Sequence, residues 1–198
     1  MLMFLDSDEI SKQYKEGKSL WGSEPTETVK KVPSILKSGS ILDIGSGEGR
    51  NAFFLAKNGF NVTGIDISSD AIERCIDSAK SQGLNITFKA ISALDYKFDK
   101  KFDGIICIAT LHLFKPSEAL GLIKRIKENT NKAGINIISV FTVNDPGIKD
   151  HPELFFVKEN ELKELYSDWE LIESRTYTKE QTHGKPHTHQ VSIIIARK

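Results

Sequence analysis

Neither sign of charge is in excess in this sequence: 27 Lys and Arg are matched by 27 Asp and Glu over 198 residues, a formal net charge of zero. That balance removes the general electrostatic argument for nucleic-acid or anionic-membrane partners, which favour an excess of positive charge. Cysteine is scarce. Cys75 and Cys107 both sit in apolar or helical stretches, so reduced thiols are expected and not a disulfide framework. Long hydrophobic runs are missing too: Gly104 to Thr110 falls far short of the ~20 residues that span a bilayer. The opening Met1 to Leu5 is too short for a signal segment and meets Asp6, Asp8 and Glu9 at once. A cytoplasmic protein that does not enter a membrane is the expectation. There is no repeat, low-complexity tract or linker, and the length suits one domain with its own core.

What is there is alternation. Ser40 to Ile44, Asn61 to Ile67, Asn85 to Ala90, Phe102 to Ala109 and Gly134 to Val143 are short apolar runs that read as strands. Between them, Arg50 to Asn58, Ser69 to Gln82 and Pro116 to Asn129 carry apolar residues at helical spacing. Strands separated by helices imply right-handed crossovers, a mostly parallel sheet and helices on both faces. Ahead of this unit, Asp8 to Glu16 reads as a short polar helix, and Glu24 to Leu36 as a helix that Pro33 should end or kink. Behind it, Lys158 to Tyr166 reads as a helix. Asp168 to Tyr177 and His187 to Arg197 then read as an antiparallel hairpin at one edge of the sheet. The expected fold is α/β, a single doubly wound domain.

The sharpest local signal is Leu42-Asp43-Ile44-Gly45-Ser46-Gly47-Glu48-Gly49-Arg50, a buried strand running through a glycine turn into a helix. Such a turn brings backbone amides and a helix N-terminus against a ligand. The spacing is G-x-G-x-G, with Arg50 where the dinucleotide fingerprint has its third glycine. Asp43 beside the loop would repel a pyrophosphate and suits a cationic amino group. Asp66, at the end of the second strand, is placed to accept hydrogen bonds from ribose hydroxyls. The plainer reading of the same residues is a surface turn and a helix cap.

These blocks, with Phe102-Asp103-Gly104-Ile105-Ile106-Cys107, Leu111-His112 and Lys132-Ala133-Gly134, resemble the class I S-adenosylmethionine-dependent methyltransferases. Gly49-Arg50-Asn51, Phe155-Phe156-Val157-Lys158-Glu159-Asn160-Glu161-Leu162 and the closing Ala196-Arg197-Lys198 resemble the TehB-type (tellurite-resistance) small-molecule branch. The resemblance implies a seven-stranded sheet whose C-terminal strand is antiparallel. It divides the chain into an N-terminal lid (1–38), a cofactor-binding core (39–143), and a substrate-side helix with the terminal hairpin (144–198). It implies S-adenosyl-L-methionine as cofactor, with S-adenosyl-L-homocysteine as product. Gly45, Ser46 and Gly47 would contact its amino-acid part, Asp66 the ribose and Ile67 the adenine, with Cys107 and Ile108 near the methionine portion. Tyr14 and Trp21 in the lid are candidates to pack on the sulfonium. One departure stands out: Ala90 occupies the place of the family's adenine-reading Asp, leaving that task to backbone groups at Ile91 or to Ser92 or Asp95 as substitutes.

The position after the fourth strand reads Ile108-Ala109-Thr110-Leu111, not the Asn/Asp-Pro-Pro-aromatic motif of nucleic-acid amino-methyltransferases. A small-molecule acceptor is therefore expected and no nucleic acid, with a soft nucleophile, a thiol or a tellurite- or selenite-like oxyanion, attacking in line. Candidate catalytic residues are His112, His183, His187 and His189; Arg50 is placed to stabilise an anion beside the cofactor. On a strand His187 and His189 share a face. The three tail imidazoles could bind an oxyanion, act as a base or ligate a metal; no fourth ligand is evident and no metal is assigned. The competing functions are a cofactor-binding protein with a sensing or partner role, a protein methyltransferase, and a nicotinamide-linked oxidoreductase, which the loop spacing and Asp43 oppose. The acceptor's identity and the oligomeric state are not legible.

Overall fold

The computed structural model describes residues 12, 13, 16, 22–181 and 187–198. Seven strands form one sheet: β1 (Ser40–Ile44), β2 (Asn61–Asp66), β3 (Ile86–Ala90), β4 (Phe102–Ile108), β5 (Thr130–Phe141), β6 (Glu170–Gln181) and β7 (His187–Arg197). Their order is β3-β2-β1-β4-β5-β7-β6. All neighbours pair parallel except at β7, which runs antiparallel between β5 and β6. The expected terminal hairpin is thus present, with its second strand inserted inside its first.

Alternation along the strands builds two cores. Leu42, Ile105, Cys107 and Ile138 face one side, under helix α4 (Pro116–Glu128), which supplies Ala119, Leu122, Ile123 and Ile126. Ile41, Ile106 and Ile137 face the other, under α2 (Arg50–Lys57) and α3 (Ser69–Ser81), which supply Ala52, Leu55, Ile72 and Cys75. Both faces are covered, so the parallel strands are apolar on both sides.

Three expectations are corrected. Pro33 does not end a helix; it lies in the first turn of the four-residue α1 (Val32–Ile35), where a missing N–H costs nothing. The helix expected over 158–166 shrinks to α5 (Glu161–Glu164), because Asn160 enters it in a left-handed conformation, φ 64°. Strand β5 starts at Thr130, ahead of Gly134, through an irregularity in its pairing with β4. The helix expected over residues 8–16 lies almost wholly outside the described residues. No helix among the described residues is long and apolar enough to cross a membrane.

Candidate functional site

The sheet's order reverses between β1 and β4, and a crevice opens there beyond the strands' C-terminal ends, where open α/β sheets bind ligands. It holds a cavity of about 690 Å³. The glycine turn forms one wall. Gly45 and Ser46 donate their amides to the Ile65 carbonyl, each at 2.9 Å, which ties the turn to the end of β2. Gly45 has φ +71°, and a Cβ there would lie 2.1 Å from Thr110 Oγ1. Only glycine fits, and the backbone lies open to the cavity.

Asp66 accepts the Gly47 amide at 2.8 Å and the Ser68 amide at 3.0 Å. Burial pushes its carboxyl up, and these two amides oppose the shift. Ile67 beside it is 65 % exposed, the most exposed large hydrophobic among the described residues. On the other side of this corner the Ile91 amide donates to the Asp66 carbonyl at 2.8 Å, and Ile91, Ser92 and Ala93 line the cavity. Arg125 on α4 holds the following loop by donating to the Leu94 carbonyl at 2.8 Å and to the Tyr96 carbonyl.

Asp43 lies behind the turn, 2 % exposed, and its Oδ2 has no hydrogen-bond partner. Burial raises its pKa to about 7, against the pull of the Arg50 guanidinium and with the added repulsion of Asp66. An orphaned buried carboxylate oxygen beside a glycine cradle and a ribose-type Asp is a fit for the amino group, backbone and sugar of S-adenosylmethionine.

Another part of the lining comes from the hairpin. Arg175, Tyr177 and Lys179 on β6 stand in register with Ile193, Val191 and His189 on β7, and all six line the cavity. Burial and the nearby Arg50 charge lower the pKa of Lys179, which forms no ion pair among the described residues. At the floor three rings stack. His112 lies on Phe141 at 4.0 Å between centroids, and Phe141 on His189 at 4.2 Å. His112 is buried, which drives its pKa down to about 3 and leaves it a neutral imidazole at physiological pH.

Of the residues singled out in the sequence, Gly45, Ser46, Gly47, Arg50, Asp66, Ile67, Ile91, Ile108, His112 and His189 line this cavity. Asp43 underlies it. His187 is off the lining, with its Nε2 3.1 Å from His189 Nε2. Cys107 is fully buried in the α4-side core, because strand alternation turns Ile108, not Cys107, toward the cavity. Ala90 is exposed and off the lining. Tyr14, Trp21 and His183 lie outside the described residues. Glu24 to Thr28, ahead of β1, line the cavity, and Thr26 donates its amide to Asn51 Oδ1 at 3.0 Å. Among the described residues no group of three or more His, Cys, Asp or Glu side chains is arranged to hold a metal ion.

Sequence reading missed Arg175, Tyr177, Lys179 and Phe141, all of which line the cavity. The i, i+2, i+4 spacing of the first three was available, but their facing depends on hairpin register.

Switch-point crevice, glycine cradle, strand-end Asp and inserted antiparallel strand together define the class I S-adenosylmethionine-dependent methyltransferases. Within that class the chain belongs to the family described as "Tellurite resistance protein TehB", whose family model matches residues 2–189. It is 30 % identical, over 139 residues, to the probable S-adenosyl-L-methionine-dependent methyltransferase TehB of Haemophilus influenzae, covering 70 % of this chain and 49 % of that protein. The chain thus spans about half the length of that relative. The crystal structure of TehB from Haemophilus influenzae superposes with a TM-score of 0.81 at 26 % identity, covering 96 % of this chain and 66 % of that one. A methyltransferase structure from Methanosarcina mazei superposes with a TM-score of 0.69, also at 26 % identity, covering 88 % and 98 %.

Proposed function

We propose that this chain transfers a methyl group from S-adenosylmethionine to a small, soft, electron-rich acceptor held against the hairpin wall. The observation that carries the reading is one cavity lined both by the glycine turn with Asp66 and by Arg175 and Lys179 of the hairpin. When bound, the cofactor supplies an electrophilic methyl group on a sulfonium, which an in-line nucleophile displaces.

The chain's own residues then have separable tasks. Asp43 and the amides of the 45–47 turn hold the amino-acid part, Asp66 the ribose, and Ile67 with Ile91 the adenine. Lys179 and Arg175, with Arg50 close by, favour an acceptor carrying negative charge, a thiolate or a chalcogen oxyanion. The wall formed by Phe141, Val191 and Ile193 is apolar and excludes water from the acceptor. Fixing the acceptor within ~3–3.5 Å of the methyl carbon is then the main work, since soft nucleophiles need little further activation.

Formation of S-adenosylhomocysteine should be followed with 2-mercaptoethanol, thiophenol, tellurite and selenite as acceptors. Turnover of any of them, lost in Asp66→Ala, is the expected result. Tight cofactor binding with no turnover of all four would favour the sensing role over catalysis.

A further inference from the structure

The hairpin side of the cavity is a patch of the sheet's own face. Ile108, Ser139, Ile193 and Arg175 stand opposite one another across β4, β5, β7 and β6, so their side chains share that face, and all four line the cavity. The next row to line it is Phe141, Val191 and Tyr177, and Lys179 stands one row further along β6. Polarity is thus graded across the strands. Over β5 and β7 these two rows are apolar but for Ser139, whose Oγ already accepts the Ala109 amide at 3.0 Å. Beside Lys179, His189 has both ring nitrogens engaged, by Asp145 and by His187. The cations stand on β6. Arg175 turns its Nε to Glu173 Oε1 at 3.0 Å. Lys179 forms no ion pair among the described residues. Burial and the Arg50 charge both disfavour its ammonium, and a bound anion would relieve the two at once.

We infer that the acceptor is an elongated apolar acid, with a thiol at one end and a carboxylate at the other, lying across β5 and β7 with its carboxylate on Lys179. This rests on the methyl-transfer reading above and narrows it: the charge held by the cation is not the charge of the attacking atom. The sheet sets the length. In that reading the methyl group lies by β1 and β4, and β4 is separated from β6 by two strands, so the backbones of β4 and β6 are about 14 Å apart. The reach of a lysine stem leaves a gap on the order of 10 Å between attacking sulfur and carboxylate. A tellurite or selenite ion carries its charge on atoms bonded to the one that attacks, so it cannot fill both places. An apolar chain of that length can, and each methylene laid against Phe141, Val191 and Ile193 adds apolar burial. The thiol reacts as its thiolate, having lost its proton to water. The sulfur's electron pair forms the new S–CH3 bond, and the pair of the C–S bond that breaks stays on the donor's sulfur.

The test uses the full chain at pH 8 and two thiol acids, 3-mercaptopropionate and 8-mercaptooctanoate, each beside the mercapto-alcohol of the same length. Comparing acid with alcohol at one length removes the general gain from a longer chain. Formation of S-adenosylhomocysteine should show the long acid preferred to its alcohol by about tenfold or more in kcat/KM, and the short acid hardly preferred to its own. Lys179→Met should abolish the preference at the longer length, and Lys179→Arg should keep most of it. Calorimetry of the chain saturated with S-adenosylhomocysteine should find 8-mercaptooctanoate bound, about tenfold more weakly in Lys179→Met. An equal preference at both lengths, no preference at the longer one, a preference that survives Lys179→Met, faster turnover of selenite than of 8-mercaptooctanoate, or turnover of no thiol by a wild type that binds S-adenosylhomocysteine would each overturn the inference and leave the cofactor site standing. Failure of the wild type to bind S-adenosylhomocysteine would instead remove the methyl-transfer reading, and this inference with it.

Discussion

The hydroxyl of Thr110 occupies the space that a side chain on Gly45 would need: a Cβ at Gly45 would come within 2.1 Å of its Oγ1 and 2.8 Å of its Cγ2. Thr110 Oγ1 is itself 3.2 Å from the Ile44 carbonyl, so it cannot move away freely. Gly45→Ala is therefore expected to push the turn into the cavity. Affinity for S-adenosylhomocysteine should fall by at least ~30-fold, with stability lower by about 1–3 kcal/mol. Adding Thr110→Ala should restore part of both. Calorimetry and thermal denaturation of the single and double variants check this.

The role proposed for Asp43 makes cofactor binding depend on pH. Its pKa in the folded chain is about 7, above the ordinary 3.8, and burial is the main cause. The sign follows from linkage: the folded state favours the neutral acid, so the stability contributed is present below pH ~4 and is lost as pH rises through about 7. A cationic amino group needs the ionised form. Affinity for S-adenosylmethionine should thus weaken as pH falls below 7, by up to about tenfold per unit, with proton release on binding. Asp43→Asn should flatten that dependence and raise the melting temperature at pH 8. Titrations in buffers of different ionisation enthalpy measure the released proton.

In the proposed function Lys179 serves the acceptor and not the cofactor. Lys179→Met should raise KM for an anionic acceptor by about tenfold or more, on the scale of one lost charge-assisted hydrogen bond. S-adenosylhomocysteine affinity should change little. A matched loss of both would mean that Lys179 serves the cofactor's carboxylate.

Arg125 holds the loop that follows the residues proposed to read the adenine. It donates to the carbonyls of Leu94 and Tyr96, so Arg125→Met leaves two part-buried oxygens unpaired. A loss of about 1–3 kcal/mol in stability is expected. Because the loop carries Ile91 to Ala93, a several-fold loss of cofactor affinity should accompany it. Denaturation with and without S-adenosylhomocysteine separates the two effects.

The cofactor half of this molecule is legible in the chain because it is local. Strand, glycine turn and helix follow one another between Leu42 and Asn51, and Asp66 ends the next strand. The hairpin part of the cavity, proposed to hold the acceptor, is not local. Asp145 meets His189 from 44 positions away, and Arg175, Tyr177 and Lys179 gain their facing only when β7 enters between β5 and β6. Cys107 and Ile108 show the finer limit. Both sit at the right height on β4, and only the phase of the alternation decides which one faces the cavity. Pro33 shows another: the same ring that breaks a helix interior suits its first turn, and position alone separates the two.

The central claim is that the crevice between β1 and β4 holds S-adenosylmethionine. Calorimetric titration of the chain with S-adenosylmethionine and S-adenosylhomocysteine, with NADH as control, tests it most directly. The account predicts one-to-one micromolar binding of both, weakened about 100-fold or more in Asp66→Ala, and none of NADH. Binding of NADH alone, or no effect of Asp66→Ala on the affinity, would contradict it.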